Sequence, residues 1–452
     1  MRRNSLIKNT LMICGFFLVC PALASAQDFI GTAGGGDGVT WEDADNWSGG
    51  AVPSGAGANA DIEGGFTVSL SSNQSFSELD IVGDQSFGTA TLNQTAGTVS
   101  GNGWTLVGTG AGNNGTYNLS GTASSSFTGN SFFRVGDSGT GTVNLTDTSS
   151  FSHLQNLDIA ETSSGVGTVT VADNAVLNTG NQINVASNGT GTLNITDNAT
   201  VNSELVRLSD GSGNATLNLS GGTLNANTLV TLGGQSGGSA IFNHSGGTLN
   251  QGSTNMNENL SIGEDGAGTY NASGTATINA TGVLVGGNAG GDGLLELDGS
   301  NISFTTDDLA IGLESNGADS GAMGELSFIA DANGVSTIIS ADNTSFGANA
   351  DLTVDLTADS NFSTFTSFTA GPLADIAVLI DNVNSVNGTF AGLAEGSAVS
   401  IGGGQTAFIS YIGGDGNDIV LQSFTTFAIP EPTSTMILAL GSMGFVLRRR
   451  RS

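Results

Sequence analysis

The sequence predicts an all-β protein, a parallel β-helix (solenoid) of about eleven coils with β-rich caps, and three observations carry that expectation. A strand-like phrase returns along the chain: Ala90-Thr91-Leu92-Asn93, then copies starting at Gly115, Gly141, Gly167, Gly191, Ala215, Ala240, Gly268, Gly293, Gly324 and Ala350, 24 to 31 residues apart. A second phrase, an apolar residue followed by a small one, keeps pace with it: Val82-Gly83, Val107-Gly108, Val135-Gly136, Ile159-Ala160, Val185-Ala186, Leu208-Ser209, Leu232-Gly233, Ile262-Gly263, Val285-Gly286, Ile311-Gly312 and Phe346-Gly347. Between the termini the apolar residues alternate, as in Val143-Asn144-Leu145 and Leu193-Asn194-Ile195, and no sustained 3.6-residue pattern occurs. A coil of about 25 residues cannot bury its apolar face alone, so successive coils must stack. At about 4.8 Å per strand, eleven coils make a rod of roughly 50 Å.

The chain divides in order. Residues 1–26 carry Arg2, Arg3 and Lys8, an apolar Leu11-to-Val19 stretch and the small-residue site Ala24-Ser25-Ala26, the layout of a secretory signal peptide cut before Gln27. Cys14 follows Ile13 and Cys20 follows Val19, neither of which suits a lipidation site. Residues 27–78 form an N-terminal cap, needed because a bare last coil is a sheet edge that invites polymerisation; Trp41 and Trp47 are placed to cover an apolar end, an aromatic sugar platform being the rival use. Residues 79–360 are the repeats, with Gly/Asn/Asp/Ser clusters such as Gly136-Asp137-Ser138-Gly139 closing the turns. Residues 361–427, richer in Phe and Ile, read as a β-rich C-terminal cap, and 428–452 as a tail ending in a short hydrophobic helix.

That tail runs Pro430-Glu431-Pro432, a fifteen-residue apolar stretch from Thr433 to Leu447, then Arg448-Arg449-Arg450-Arg451. The stretch is shorter than the roughly 20 residues of a stable span, and the arginines would stay on the cytoplasmic side. In order and content it resembles the PEP-CTERM sorting signal. The resemblance implies transient inner-membrane retention in a Gram-negative bacterium that makes exopolysaccharide, and cleavage by an exosortase after signal peptidase has acted. The repeats resemble β-helix passengers of the autotransporter type through their Gly-Thr-x-Asn phrases; the Trp41-to-Trp47 segment, followed by Pro53 and Ala60-Asp61-Ile62, resembles the opening of PEP-CTERM and planctomycete-type surface proteins, and the 362–427 region resembles the ending of such passengers. The sorting tail leaves no room for the membrane barrel of a true autotransporter.

Both cysteines lie in residues 1–26, so the processed chain has no disulfide, thiolate metal site or cysteine nucleophile. Without the two signals, Arg134 and Arg207 face thirty-nine acidic residues, a net charge of −37 between Gln27 and Pro430. Nucleic acid and anionic membrane surfaces are excluded as partners for want of basic contacts. Such a surface is soluble and self-repelling, with diffuse cation binding as the alternative.

Catalytic signals are thin. Asp307-Asp308 is the adjacent acidic pair near a predicted strand, beside Glu264-Asp265 in a turn and Glu42-Asp43 in the cap, and neither arginine completes a recognisable set with them. His153 and His244 lie 91 residues apart, without metal-ligand spacing, and His244 occupies the phase of Leu145, Ile195 and Leu219, which makes it a core residue. No G-x-S-x-G elbow leads to a triad. Gly413-Gly414-Asp415-Gly416-Asn417-Asp418 matches the calcium-binding nonapeptide form but stands alone; Asp415 and Asp418 are weak calcium candidates in what reads as a hairpin turn, and no cofactor is expected. The Thr-x-Asn residues, Thr91-x-Asn93 through Thr269-x-Asn271, form outward columns that stack by hydrogen bonding or, on the rival reading, bind an ordered ligand such as a crystalline glycan or ice. The expectation is an exported, non-enzymatic surface or matrix solenoid with a structural or adhesive role and extracellular polysaccharide as a candidate partner. The alternatives are a β-helix carbohydrate-active enzyme, whose carboxylate pair the many acids would supply, and a glycan- or ice-binding solenoid.

Overall fold

The recurring phrases lie side by side. In the computed structural model, which describes residues 26–424 except Ala56, 84–87, Ser236, 253–259, 315–316, Ser320 and 360–372, Gly141 pairs with Gly115 and Gly167, and the same column runs without slip from Ala90 to Ala350. These strands form one parallel sheet of twelve, because Thr67–Leu70 precedes the eleven predicted copies. A typical coil has the strands Thr140–Leu145, Ser150–His153 and Leu157–Ile159, each paired with its counterparts in the coils before and after. The first strand belongs to the phrase sheet and the other two to a second sheet of twenty-four strands. No α-helix occurs among the described residues, and no helix there is long and apolar enough to cross a membrane; the hydrophobic helix expected in 428–452 and, but for Ala26, the signal peptide expected in 1–26 lie outside them.

The alternation places every second residue inside. Leu92, Tyr117, Val143, Val169, Leu193 and Leu217 stack as one fully buried column and Leu119, Leu145, Val171, Ile195 and Leu219 as another. Outward residues of the phrase are Thr and Asn. Each Asn amide donates to the Oδ1 of the preceding coil, from Asn118 to Asn93 at 2.8 Å and onward through Asn144, Asn218, Asn243 and Asn271, with Thr170 standing in once. A second ladder on the neighbouring face, Asn178, Asn202, Asn225, Asn250 and Asn279, repeats the arrangement. Stacking thereby satisfies half-buried amides with their own copies.

The apolar-small phrase marks a corner. Val82, Gly108, Gly136, Ala160, Ala186, Ser209, Gly233, Gly263, Gly286 and Gly312 all have φ between +55° and +73°, the left-handed region that disfavours large side chains. The first copy is shifted by one relative to the sequence reading: Ile81 pairs with Val107, so Val82 takes the corner and Gly83 follows it. The two phrases interlock, since a Cβ at Gly136 would stand 1.9 Å from the Val166 carbonyl oxygen and one at Gly141 2.3 Å from the Gly136 nitrogen.

Both ends are covered. At the start, Trp41 donates its backbone N–H to Ser69 and Ser69 donates to Val39, closing the edge of Thr67–Leu70. Trp41 and Trp47 pack edge to face at 4.7 Å, Trp41 stacks on Phe76, and Trp47 Nε1–H donates to the Trp41 carbonyl at 2.8 Å. Both rings are buried, so they close the core and present no sugar platform. The polar letters between them also have structural tasks: Asp43 caps the 3₁₀ turn Ala44–Asn46, Glu42 accepts from the Ser71 and Ser72 backbones, and buried Asn46 donates to the Thr40 carbonyl. At the far end Leu373–Asn382 joins Ile338–Phe346 in parallel but pairs antiparallel with Asp418–Phe424, which pairs antiparallel with Thr406–Gly413. Tyr411, hydrogen-bonded to the Phe390 N–H and the Leu393 carbonyl, packs there with Phe346 and Phe390.

Two expectations follow from this stacking. Leu193, fully buried between Val169 and Leu217, cannot accept a charge, so Leu193→Asp should cost at least about 3 kcal/mol; a protease-sensitive site in that coil and a lowered melting temperature check it. Asp61 lies in register between Asp28 and Asp80, and burial, reinforced by Asp28, Glu78 and Glu63, pushes its carboxyl up to about 6. Its folded value is above the unfolded one, so its contribution is complete below pH 4 and is lost as pH rises through 6. Hydrogen exchange at 59–62 should therefore quicken relative to the central coils between pH 4.5 and 7.5, and Asp61→Asn should remove the difference.

Candidate functional site

The structure describes a minority of the sequence-predicted site residues. Ala24, Pro430, Glu431, Pro432, Arg448, Arg449, Arg450 and Arg451 lie outside the described residues, while Ala26 is exposed just before the strand Gln27–Asp28. Asp307 is exposed and Asp308 accepts from Asn343 at 3.2 Å, both on the outer side of a bulged strand. Asp415 is exposed in a turn, while Asp418 is buried and accepts the Asn382 N–H at 3.1 Å, in a hairpin where Gly413 pairs with Asp418. Among the described residues no group of three His, Cys, Asp or Glu is arranged to hold a metal.

Both histidines are core residues. His244 pairs with Leu219 in the predicted phase, with Nδ1 2.8 Å from the Tyr270 hydroxyl and Nε2 3.2 Å from the Gly247 carbonyl. His153 stacks on Phe127 and Phe133 and its Nδ1 accepts from the Gln155 N–H. Burial pulls each imidazole down to about 4.

The arginines are a different matter, and here the sequence reading is corrected. Leu106, Arg134, Asp158, Asn184, Arg207, Thr231 and Ser261 form a single column, one residue per coil. Both basic residues between Gln27 and Pro430 thus share one face, three coils or roughly 14 Å apart. Arg134 does gather a carboxylate set: Asp137 at 3.2 Å from the same coil, Glu161 at 2.9 Å from the next, and Asp158 beside it in register. Its guanidinium lies 5.1 Å from the centre of the half-buried Trp104 ring, which meets Phe132 edge to face. Asp158 accepts from Asn184 at 2.7 Å, yet its burial pushes the carboxyl up to about 6. The set is hard to see in the sequence, because Glu161 is 27 residues from Arg134. The signal was nevertheless present: every member of the column directly precedes an apolar-small phrase, and three residues later come Asp137, Glu161, Asp210 and Glu264.

Arg207 repeats the arrangement incompletely. Asp210 pairs with it at 3.0 Å, but the position that Glu161 takes over Arg134 is Gly234 over Arg207. The missing side chain opens a polar cleft of about 490 Å³ lined by Arg207, Asp210, Gly234, Gln235, Glu264, Asp265 and Ala289. Burial, then the neighbouring Asp265, raises the Glu264 carboxyl above its usual range, with Arg207 opposing. A guanidinium and three carboxyl groups supply hydrogen-bond donors and acceptors at one place.

Comparison with known proteins assigns the tail. Residues 428–451 match the family described as the PEP-CTERM protein-sorting motif. No curated protein and no solved structure matches the chain. A motif of this kind marks an exported protein sorted toward the cell surface of a Gram-negative bacterium through exosortase-type processing. With the stacked parallel coils before it, the chain is a PEP-CTERM protein built on β-helix repeats.

Proposed function

We propose that the processed chain is a non-enzymatic rod, displayed on or released from the cell surface, with a structural or adhesive role in the envelope or matrix. The observation that carries this reading is the sorting motif behind a solenoid covered at both ends. A covered rod does not template its own polymerisation, and a surface carrying −37 keeps copies apart. The Thr and Asn columns support the structural role, because their amides are already engaged coil to coil. That leaves fewer groups for the ordered glycan or ice surface of the rival reading.

A carbohydrate-active enzyme is the second reading, and the cleft at Arg207 is what favours it. A glycosidase needs an acid and an independent carboxylate flanking the bond. Glu264 fits the first role, but Asp210 is engaged as the ion-pair partner of Arg207, which supports binding over cleavage.

Intact mass spectrometry of the protein from its native host should show a mature chain starting at Gln27 and cut near Pro430-Glu431-Pro432; an extracellular product that retains Arg448 to Arg451 would contradict exosortase processing. Asp307→Ala and Asp308→Ala should each cost no more than about 1 kcal/mol and leave surface display intact. Reducing-end release from a glycan panel by the wild type, abolished by either change in a folded protein, would establish the enzyme instead.

A further inference from the structure

The cleft at Arg207 exists because one coil lacks a side chain that an earlier coil supplies. Over Arg134, Asp137 and Glu161 close on the guanidinium from two coils. Over Arg207, Nη1 meets Asp210 while Gly234 leaves the other side open, and Nη2 has no protein hydrogen bond among the described residues. The far wall, two coils on, is Glu264 and Asp265. We propose that this cleft binds an uncharged saccharide unit, holding neighbouring hydroxyls between the Arg207 guanidinium and the carboxyl groups of Asp210, Glu264 and Asp265; the proposal rests on the surface-rod reading and names its ligand.

The chemistry selects that class by charge and by hydrogen-bonding need. Three carboxyl groups around one guanidinium, on a segment from Gln27 to Pro430 of net charge −37, repel a uronate, sulfate or phosphate. The guanidinium at the floor repels a bare metal cation from the same space. A ligand that accepts from Arg207 and donates to the carboxyl groups at once, without charge of its own, is a vicinal diol of a sugar ring. Desolvated polar groups left unmatched are costly, so the site discriminates against ligands lacking one of the hydroxyls.

Titration calorimetry on the mature chain tests this with three probes: neutral gluco- and manno-hexaoses, uronate hexamers, and calcium chloride alone. A neutral hexaose should bind, and Arg207→Gln and Gly234→Glu should each weaken it at least tenfold. Gly234 is not in the left-handed region, and its added Cβ would meet the flexible Asp210 carboxylate at 3.0 Å, so Gly234→Glu should fold and fill the cleft as Glu161 does over Arg134; circular dichroism checks this. Arg134→Gln should leave affinity unchanged. Tighter binding of uronate or calcium, or hexaose binding indifferent to a folded Gly234→Glu, overturns the inference. So does cleavage of the hexaose that is lost in Glu264→Gln, which would make the cleft catalytic. Normal surface display with no saccharide bound overturns the cleft and leaves the rod reading standing, whereas binding by a protein retained inside the cell does the reverse.

Discussion

Every feature of this protein depends on parallel, in-register stacking of coils that are unstable singly. Parallel pairing at about 4.8 Å places each residue over its counterpart in the coils before and after, so each position is chosen for what it does against a copy of itself. Apolar residues tolerate self-stacking and build the core columns around Leu193. Asparagines gain from it, since an amide donates on one side and accepts on the other. Carboxylates lose by it, and the phrase strands from Thr89–Gln94 to Ala267–Ser273 contain no Asp, Glu, Lys or Arg in a chain with forty acidic residues. Where aspartates stack within strands at Asp28, Asp61 and Asp80, burial and its neighbours push the central carboxyl up to about 6.

The corners make the stacking continuous. A left-handed residue at the end of each third strand turns the chain into the next phrase, and the phrase glycine lets the corner backbone settle against it. Core polar groups fit the same frame. Gln94 and His244 occupy an otherwise apolar column, and each is accommodated by a tyrosine of the next coil: Tyr117 donates to Gln94 at 2.6 Å and Tyr270 meets His244 at 2.8 Å. Burial raises both phenols well above their ordinary range, which keeps them neutral partners.

Charge gathers where stacking permits it, in the column preceding the corner. There Arg134 and Arg207 can be set against acids of the same and the next coil, and the segment from Gln27 to Pro430, which has two cations, places both on that side. The contrast between the closed Arg134 cluster and the open Arg207 cleft comes down to Glu161 against Gly234. Beside the uncharged Asn ladders, the rod acquires a chemically distinct place through the omission of a side chain.

The sequence by itself determined the fold class, the register and the phase of the core. Period-2 alternation fixes which face is buried, and a repeat near 25 residues leaves one way to cover it; the eleven phrases pair as aligned, and His244 falls where Leu219 predicts. It also determined the address, because a sorting motif is read from the order of its parts before any folding. The tertiary structure decided what lies across coils. That Ile81-Val82 opens the corner series, that Trp41 and Trp47 are buried together, and that Arg134 meets Glu161 depend on contacts 6 to 27 residues apart whose geometry the strand and corner angles set. The Arg207 cleft was the least legible feature, since it is made by a glycine, and an absent side chain becomes a site only when the coils on either side stand at fixed height around it.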